Sequence, residues 1–247
     1  MKKSGFDSIY PFATENVSGY FEKLNLLGKS ILTVGSSLDQ LFNAVICGAT
    51  EITVFDINPN VRDYFEWKKE MLKKCKRQNF VKYLLQNLKE DLVFSNDVMD
   101  IDKIYASNNY LQNDASYEKL IALLESTSIQ FIEGDIFKTH LSQKFDCIVF
   151  SNVLQYLNYF FQKSEIEIYK EILYLVSRWE KCLNKNGVLQ LLYLYSYSYE
   201  DLYKQDHALI CYNLRKIVSH LHPYSLDIEW VSGFHEKHDA IVTYTRK

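Results

Sequence analysis

Short apolar runs alternate along the chain with longer stretches whose apolar positions recur every three or four residues. The first run, Ser30 to Gly35 (SILTVG), stops at a Ser-Ser pair. Leu38, Leu41, Phe42, Val45 and Ile46 then have the spacing of one helix face, and Gly48 sits where a helix C-cap belongs. A second run, Glu51 to Asp56, leads through Asn58-Pro59 into a helix predicted from about Val61 to Arg77. Pro59 is tolerated there because first-turn N–H groups have no intrahelical partner. Ile129 to Ile132 and Phe145 to Phe150 read as short, fully buried strands. Helical sequence from Ile166 to Leu183 precedes Asn186-Gly187, a strand from Val188 to Tyr195, and a last helix from Tyr199 to Leu221. Two terminal runs, Ser225 to Val231 and Ala240 to Thr245, flank the polar turn Ser232 to Asp239 and predict an antiparallel hairpin.

Strands alternating with helices imply right-handed crossovers and an α/β fold. The expectation is a single domain over residues 1–247 with a mostly parallel seven-stranded sheet and an antiparallel last strand. The stretch from about 78 to 127 breaks the alternation; it is polar and helix-prone, and reads as a helical insertion between the second helix and the third strand. Two roles stand open for it, a lid or acceptor-binding cap and a surface addition.

Composition narrows the function classes. A formal charge of −3 gives no basic footprint for nucleic acid. The run Lys68-Lys69, Lys73-Lys74, Arg77 reads as the solvated side of a helix. No apolar region follows Lys2-Lys3, so no signal peptide is expected, and no window approaches the roughly 18 apolar residues of a membrane span. The five cysteines are scattered without a CxxC pair, which suits a reducing cytoplasm. The histidines at 140, 207, 220, 222, 235 and 238 lack companions at ligand spacing, so no metal site is expected. No phosphate-loop or nucleophile-elbow motif is present, which argues against ATP hydrolysis and α/β-hydrolase chemistry.

Ligands of open α/β sheets bind outside the carboxyl ends of the strands. Four such ends carry candidate residues. In the turn after the first strand, Gly35 permits close backbone approach, while Ser36 and Ser37 offer hydroxyls and N–H groups at a helix start whose dipole favours a carboxylate. Asp56 ends the second strand about 20 residues later, the place of a carboxylate that accepts from both ribose hydroxyls. Asp135 and Ile136 follow the third strand, suited to an adenine amino group and ring. Ser151 and Asn152 follow the fourth, where a reacting donor group would sit. Tyr10 to Asn16 could fold over the cofactor, and the aromatic run Tyr193 to Tyr199 could wall an acceptor pocket. No side chain stands out as a catalytic base.

Through these residues the segment ILTVGSSLDQLFNAVICGATEITVFDINP resembles the class I S-adenosylmethionine-dependent methyltransferases. More narrowly, it resembles the branch of the diacylglycerol 3-amino-3-carboxypropyl transferases, on Gly35-Ser36-Ser37, Asp39-Gln40, Asn43-Ala44, Gly48-Ala49 and Asp56-Ile57-Asn58-Pro59. The resemblance implies a Rossmann-like methyltransferase fold. It implies S-adenosylmethionine as cofactor, with Gly35, Ser36 and Asp39 along it, Asp56 on its ribose, and Asp135 and Ile136 around adenine. Ser37, Ile57, Ser151 and Asn152 complete the expected set. Leu38 stands where a glycine is expected, and Thr33 where many methyltransferases have an acidic residue. The implied activity is methyl transfer to a small acceptor in the cytoplasm, without nucleic acid or stable membrane association. Aminocarboxypropyl transfer and non-catalytic cofactor binding are the alternatives.

Overall fold

In the computed structural model, which describes residues 9–87, 100–151, 153, 165–192, 226–231 and 239–247, the strands are β1 Ser30–Val34, β2 Glu51–Asp56, β3 Ser128–Glu133, β4 Phe145–Val149, β5 Leu183–Leu192, β6 Leu226–Val231 and β7 Asp239–Thr245. The helices among these residues are α1 Val17–Phe21, α2 Asp39–Ile46, α3 Val61–Lys74, α4 Arg77–Asn87, α5 Ile101–Ala106, α6 Asp114–Leu123 and α7 Glu165–Trp179. One sheet hydrogen-bonds its seven strands in the order β3-β2-β1-β4-β5-β7-β6. β1, β4 and β5 pair in parallel, as do β2 and β3, whereas β7 runs antiparallel to both β5 and β6. This mixed sheet with its one reversed strand is the Rossmann-like arrangement of the methyltransferase type.

By its contacts the chain divides into two compact units, Met1–Lys29 with Val34–Lys138, and Ser30–Thr33 with Thr139–Lys247. In the second unit, β4 aligns Ile148 with Leu32 of β1 and Leu189 of β5. All three are fully buried. Phe150 meets the Trp179 ring edge-on at 4.9 Å. β5 starts at Leu183, five residues before the sequence pattern places it, because Asn186 adopts φ 62° and the chain passes through Asn186-Gly187 without leaving the sheet. The predicted helix Tyr199 to Leu221, the aromatic run after β5 and all histidines but His140 lie outside the described residues.

In the first unit, β2 and β3 pair in register from Glu51 opposite Ser128 to Asp56 opposite Glu133. β3 is not the fully buried strand the apolar run implied. It is the edge of the sheet, and its side chains are exposed or half-buried along its length. The expected helix ending near Arg77 stops at Lys74, where Cys75 turns extended, and α4 begins at Arg77. The stretch expected to be an insertion supplies α5, a 3-10 turn at Asn109–Leu111 and α6. It is tied into the unit by buried polar contacts. Asn43 on α2 donates to Asn108 at 2.9 Å and accepts from the backbone N–H of Asn109 at 2.7 Å. From Asp39 to Val45 every residue of α2 is buried, Asp39, Gln40 and Asn43 included. No helix among the described residues is long and apolar enough to cross a membrane.

Candidate functional site

The chain leaves β1 in a tight turn, with Leu38 N–H donating to the Gly35 carbonyl at 2.6 Å. Ser36 (φ 32°) and Leu38 (φ 70°) occupy the left-handed region that glycine favours. Leu38 thus has the backbone shape of the glycine expected there, and its side chain is fully buried. β2 ends at Asp56, whose carboxylate reaches back to this turn. Its Oδ2 accepts from the N–H groups of Gly35 (3.0 Å) and Ser36 (2.9 Å), and its Oδ1 accepts from Asn58 N–H at 2.9 Å. Glycine is required at 35 by close approach: a Cβ there would lie 2.5 Å from Val61 Cγ1 and 2.9 Å from Asp56 Oδ2.

Two expectations change here. The turn amides that the sequence offers to a ligand carboxylate are taken by Asp56 itself. A carboxylate has about four acceptor positions, and among the described residues three are in use, which leaves one on Oδ1. Asp56 can therefore accept one ribose hydroxyl as it stands; accepting both requires it to release an amide of the turn.

The Asp56 carbonyl accepts from Gly134 N–H at 2.8 Å, which brings the turn after β3 beside the end of β2. Asp135 caps that turn through Phe137 N–H at 2.9 Å and pairs with exposed Lys138 at 3.1 Å. Ile136 is buried, whereas Ile57 exposes 69% of its surface directly after Asp56. Gly35, Ser36, Asp56, Ile57, Asp135 and Ile136 are therefore carried by the ends of β1, β2 and β3 in one unit.

Asp39 and Ser37 depart from expectation. Asp39 is fully buried and faces the interior. Its Oδ1 accepts from Tyr110 Oη at 2.7 Å and lies 3.1 Å from Lys68 Nζ, while its Oδ2 accepts from Ala13 N–H at 2.6 Å. Ser37 is fully buried as well, its Oγ accepting from Asp39 N–H at 3.3 Å and its carbonyl from Lys68 Nζ at 2.7 Å. Neither side chain has surface left for a ligand. Ser151 belongs to the other unit, buried with φ 42°, and Asn152 lies outside the described residues.

Lys68 is the residue that the sequence reading misses. It belongs to the buried face of α3 with Val61, Tyr64, Phe65 and Leu72, not to a solvated side. The signal was present, because 61, 64, 65, 68 and 72 follow the helical period. Burial pushes the Lys68 ammonium below the ordinary lysine value, and Asp39 opposes that shift. Burial also raises the Tyr64 and Tyr110 hydroxyls well above the usual tyrosine value, with the Asp39 charge adding to it. No cluster of three metal-ligating side chains occurs among the described residues.

No family model matches the chain, and no curated protein does. Among solved structures it is similar to the N-methyltransferase NodS from Bradyrhizobium japonicum WM9 in complex with S-adenosyl-L-homocysteine. That likeness has 11% identity and a TM-score of 0.46, and covers 92% of this chain and 84% of that one. A methyltransferase from Pyrococcus furiosus is similar at 10% identity and a TM-score of 0.46, over 92% of this chain and 79% of that one. The magnesium protoporphyrin IX methyltransferase ChlM from Synechocystis PCC 6803 with bound S-adenosyl-L-homocysteine follows at 15% identity, TM-score 0.43, over 94% and 80%.

Proposed function

We propose that the chain binds S-adenosylmethionine at the ends of β1, β2 and β3 and transfers its methyl group to a small acceptor. The observation that supports this reading is the placing of Asp56. A carboxylate at the end of the second strand is fixed by the amides of the first turn, keeps one acceptor position open, and is followed by an exposed apolar residue. A ribose hydroxyl needs the first, and an adenine ring needs the second. Asp135 and Ile136 stand after β3 as further neighbours for the base. The cofactor supplies an activated sulfonium carbon. The chain's own part is to orient it against the acceptor and exclude water, which suffices for much of the rate in such transfers.

Titration calorimetry with S-adenosylhomocysteine tests the binding. The wild type should bind, and Asp56→Ala should weaken binding by tenfold or more, about 1.4 kcal/mol. Unchanged affinity in that variant refutes the ribose assignment. Product analysis then identifies the transferred group. S-adenosylhomocysteine supports methyl transfer, methylthioadenosine supports aminocarboxypropyl transfer, and binding without turnover across acceptors supports a non-catalytic module.

A further inference from the structure

Lys68 has no solvent exposure, and each of its three N–H donors meets an oxygen: Pro11 O at 2.9 Å, Ser37 O at 2.7 Å and Asp39 Oδ1 at 3.1 Å. Its ammonium is thus fully used. The rings of Phe12, Phe42 and Tyr64 surround it with centroids at 5.0, 5.4 and 5.7 Å. Burying such a pair does not by itself favour folding, since well-packed apolar replacements of similar size are often neutral or stabilising. What the pair joins is more informative than its stability.

One acceptor, the Ser37 carbonyl, lies inside the turn after β1. Ser36 and Leu38 on either side of it hold positive φ. Non-glycine residues in that region cost energy and persist only where their surroundings over-determine them. A second acceptor, the Pro11 carbonyl, belongs to the segment before α1. That segment is fastened again by Ala13 N–H on Asp39 Oδ2 at 2.6 Å and by Tyr64 Oη on the Tyr10 carbonyl at 3.2 Å, with Phe12 fully buried beneath it. A single ammonium–carboxylate pair therefore fixes the turn and the segment together.

We propose that Lys68, through Asp39, is a positioning residue that holds the Gly35–Asp39 turn in its ligand-binding shape and makes that shape depend on the docked Pro11–Ala13 segment. This rests on reading the turn as part of the cofactor site. Lys68→Met alone leaves the Asp39 carboxylate buried with two donors and can fail to fold. The informative protein is Lys68→Met/Asp39→Asn, which removes both charges, keeps one oxygen for Ala13 N–H and turns an amide N–H₂ toward Tyr110 Oη, which can accept from it. The double variant should fold but melt several degrees below the wild type, because the Pro11 and Ser37 carbonyls lose their Lys68 donor. Its backbone amides at Gly35, Ser36, Leu38 and Ala13 should exchange with solvent about tenfold faster or more, while those of α3 stay unchanged. Its affinity for S-adenosylhomocysteine should fall about tenfold.

Wild-type exchange at those amides overturns the positioning role whatever the ligand. Wild-type affinity in the double variant overturns its link to binding. A double variant that does not fold also overturns it, because the pair would then hold the whole unit and not the turn. A wild-type protein that fails to bind S-adenosylhomocysteine refutes the cofactor reading instead, and the exchange data still judge the turn.

Discussion

Gly35→Ala is the most informative single substitution in the turn. The new Cβ would stand 2.5 and 3.0 Å from the two γ-methyls of Val61 and 2.9 Å from Asp56 Oδ2. Val61 is buried at the start of α3 and cannot swing into solvent. Forcing a methyl into such packing typically costs ~1–3 kcal/mol. Displacing the carboxylate weakens two charge-assisted hydrogen bonds, each worth ~1.5–3 kcal/mol when intact. A loss of about 2–4 kcal/mol in urea denaturation is therefore expected. Val61→Ala alone should cost ~1.5–2.5 kcal/mol through lost burial and the space left behind. In Gly35→Ala/Val61→Ala the contacts to Val61 are gone, so the double variant should be more stable than the sum of the singles implies, by about 1–2 kcal/mol. Ligand affinity should not recover, because the 2.9 Å approach to Asp56 remains. Additive single and double effects would refute the close-approach explanation of Gly35.

Asp56→Asn keeps one oxygen for the amides of Gly35 and Ser36 and should lower stability by only ~1–2 kcal/mol, while binding of S-adenosylhomocysteine drops at least tenfold in calorimetry. Asn43→Ala removes the bonds to Asn108 and Asn109 and leaves a buried side-chain oxygen and a half-buried N–H unpaired; thermal denaturation should show a loss of ~2–4 kcal/mol. Folded protein keeps the protons of Tyr64, Tyr110 and Tyr117, which the unfolded chain releases near pH 10. The stability they contribute is complete below that pH and is lost as pH rises above it. Lys68, shifted downward, acts in the opposite sense only below the ordinary lysine value and does not offset the tyrosines above it. Denaturation midpoints should therefore fall steeply above pH 10, and Tyr110→Phe should flatten that fall while costing ~1.5–3 kcal/mol at neutral pH.

What was legible in the sequence is what local patterning controls. β2 begins and ends where the apolar run does, and the two terminal runs pair antiparallel because each alternates beside a polar turn. Asp56 could be found because the end of a strand fixes where a side chain goes. Burial set by distant segments was not legible. β3 reads as buried from its apolar residues, but its place at the sheet edge follows from strand order. Lys68 looked like part of a charged surface because its acceptors, at Pro11, Ser37 and Asp39, lie 29 to 57 residues away in sequence. The same distance hid the role of Asp39. As the first residue of a helix after a glycine turn it resembled a ligand contact, and its partners Ala13, Lys68 and Tyr110, all distant in sequence, show which way it faces.

The most direct test of the proposed site is a crystal structure with S-adenosylhomocysteine bound. The expected result is a ribose hydroxyl on Asp56 Oδ1, with the adenine between Ile57 and Ile136 and the Lys68–Asp39 pair intact beneath the turn. A ligand bound elsewhere, or crystals that take up none at saturating concentration, would contradict the assignment of this site.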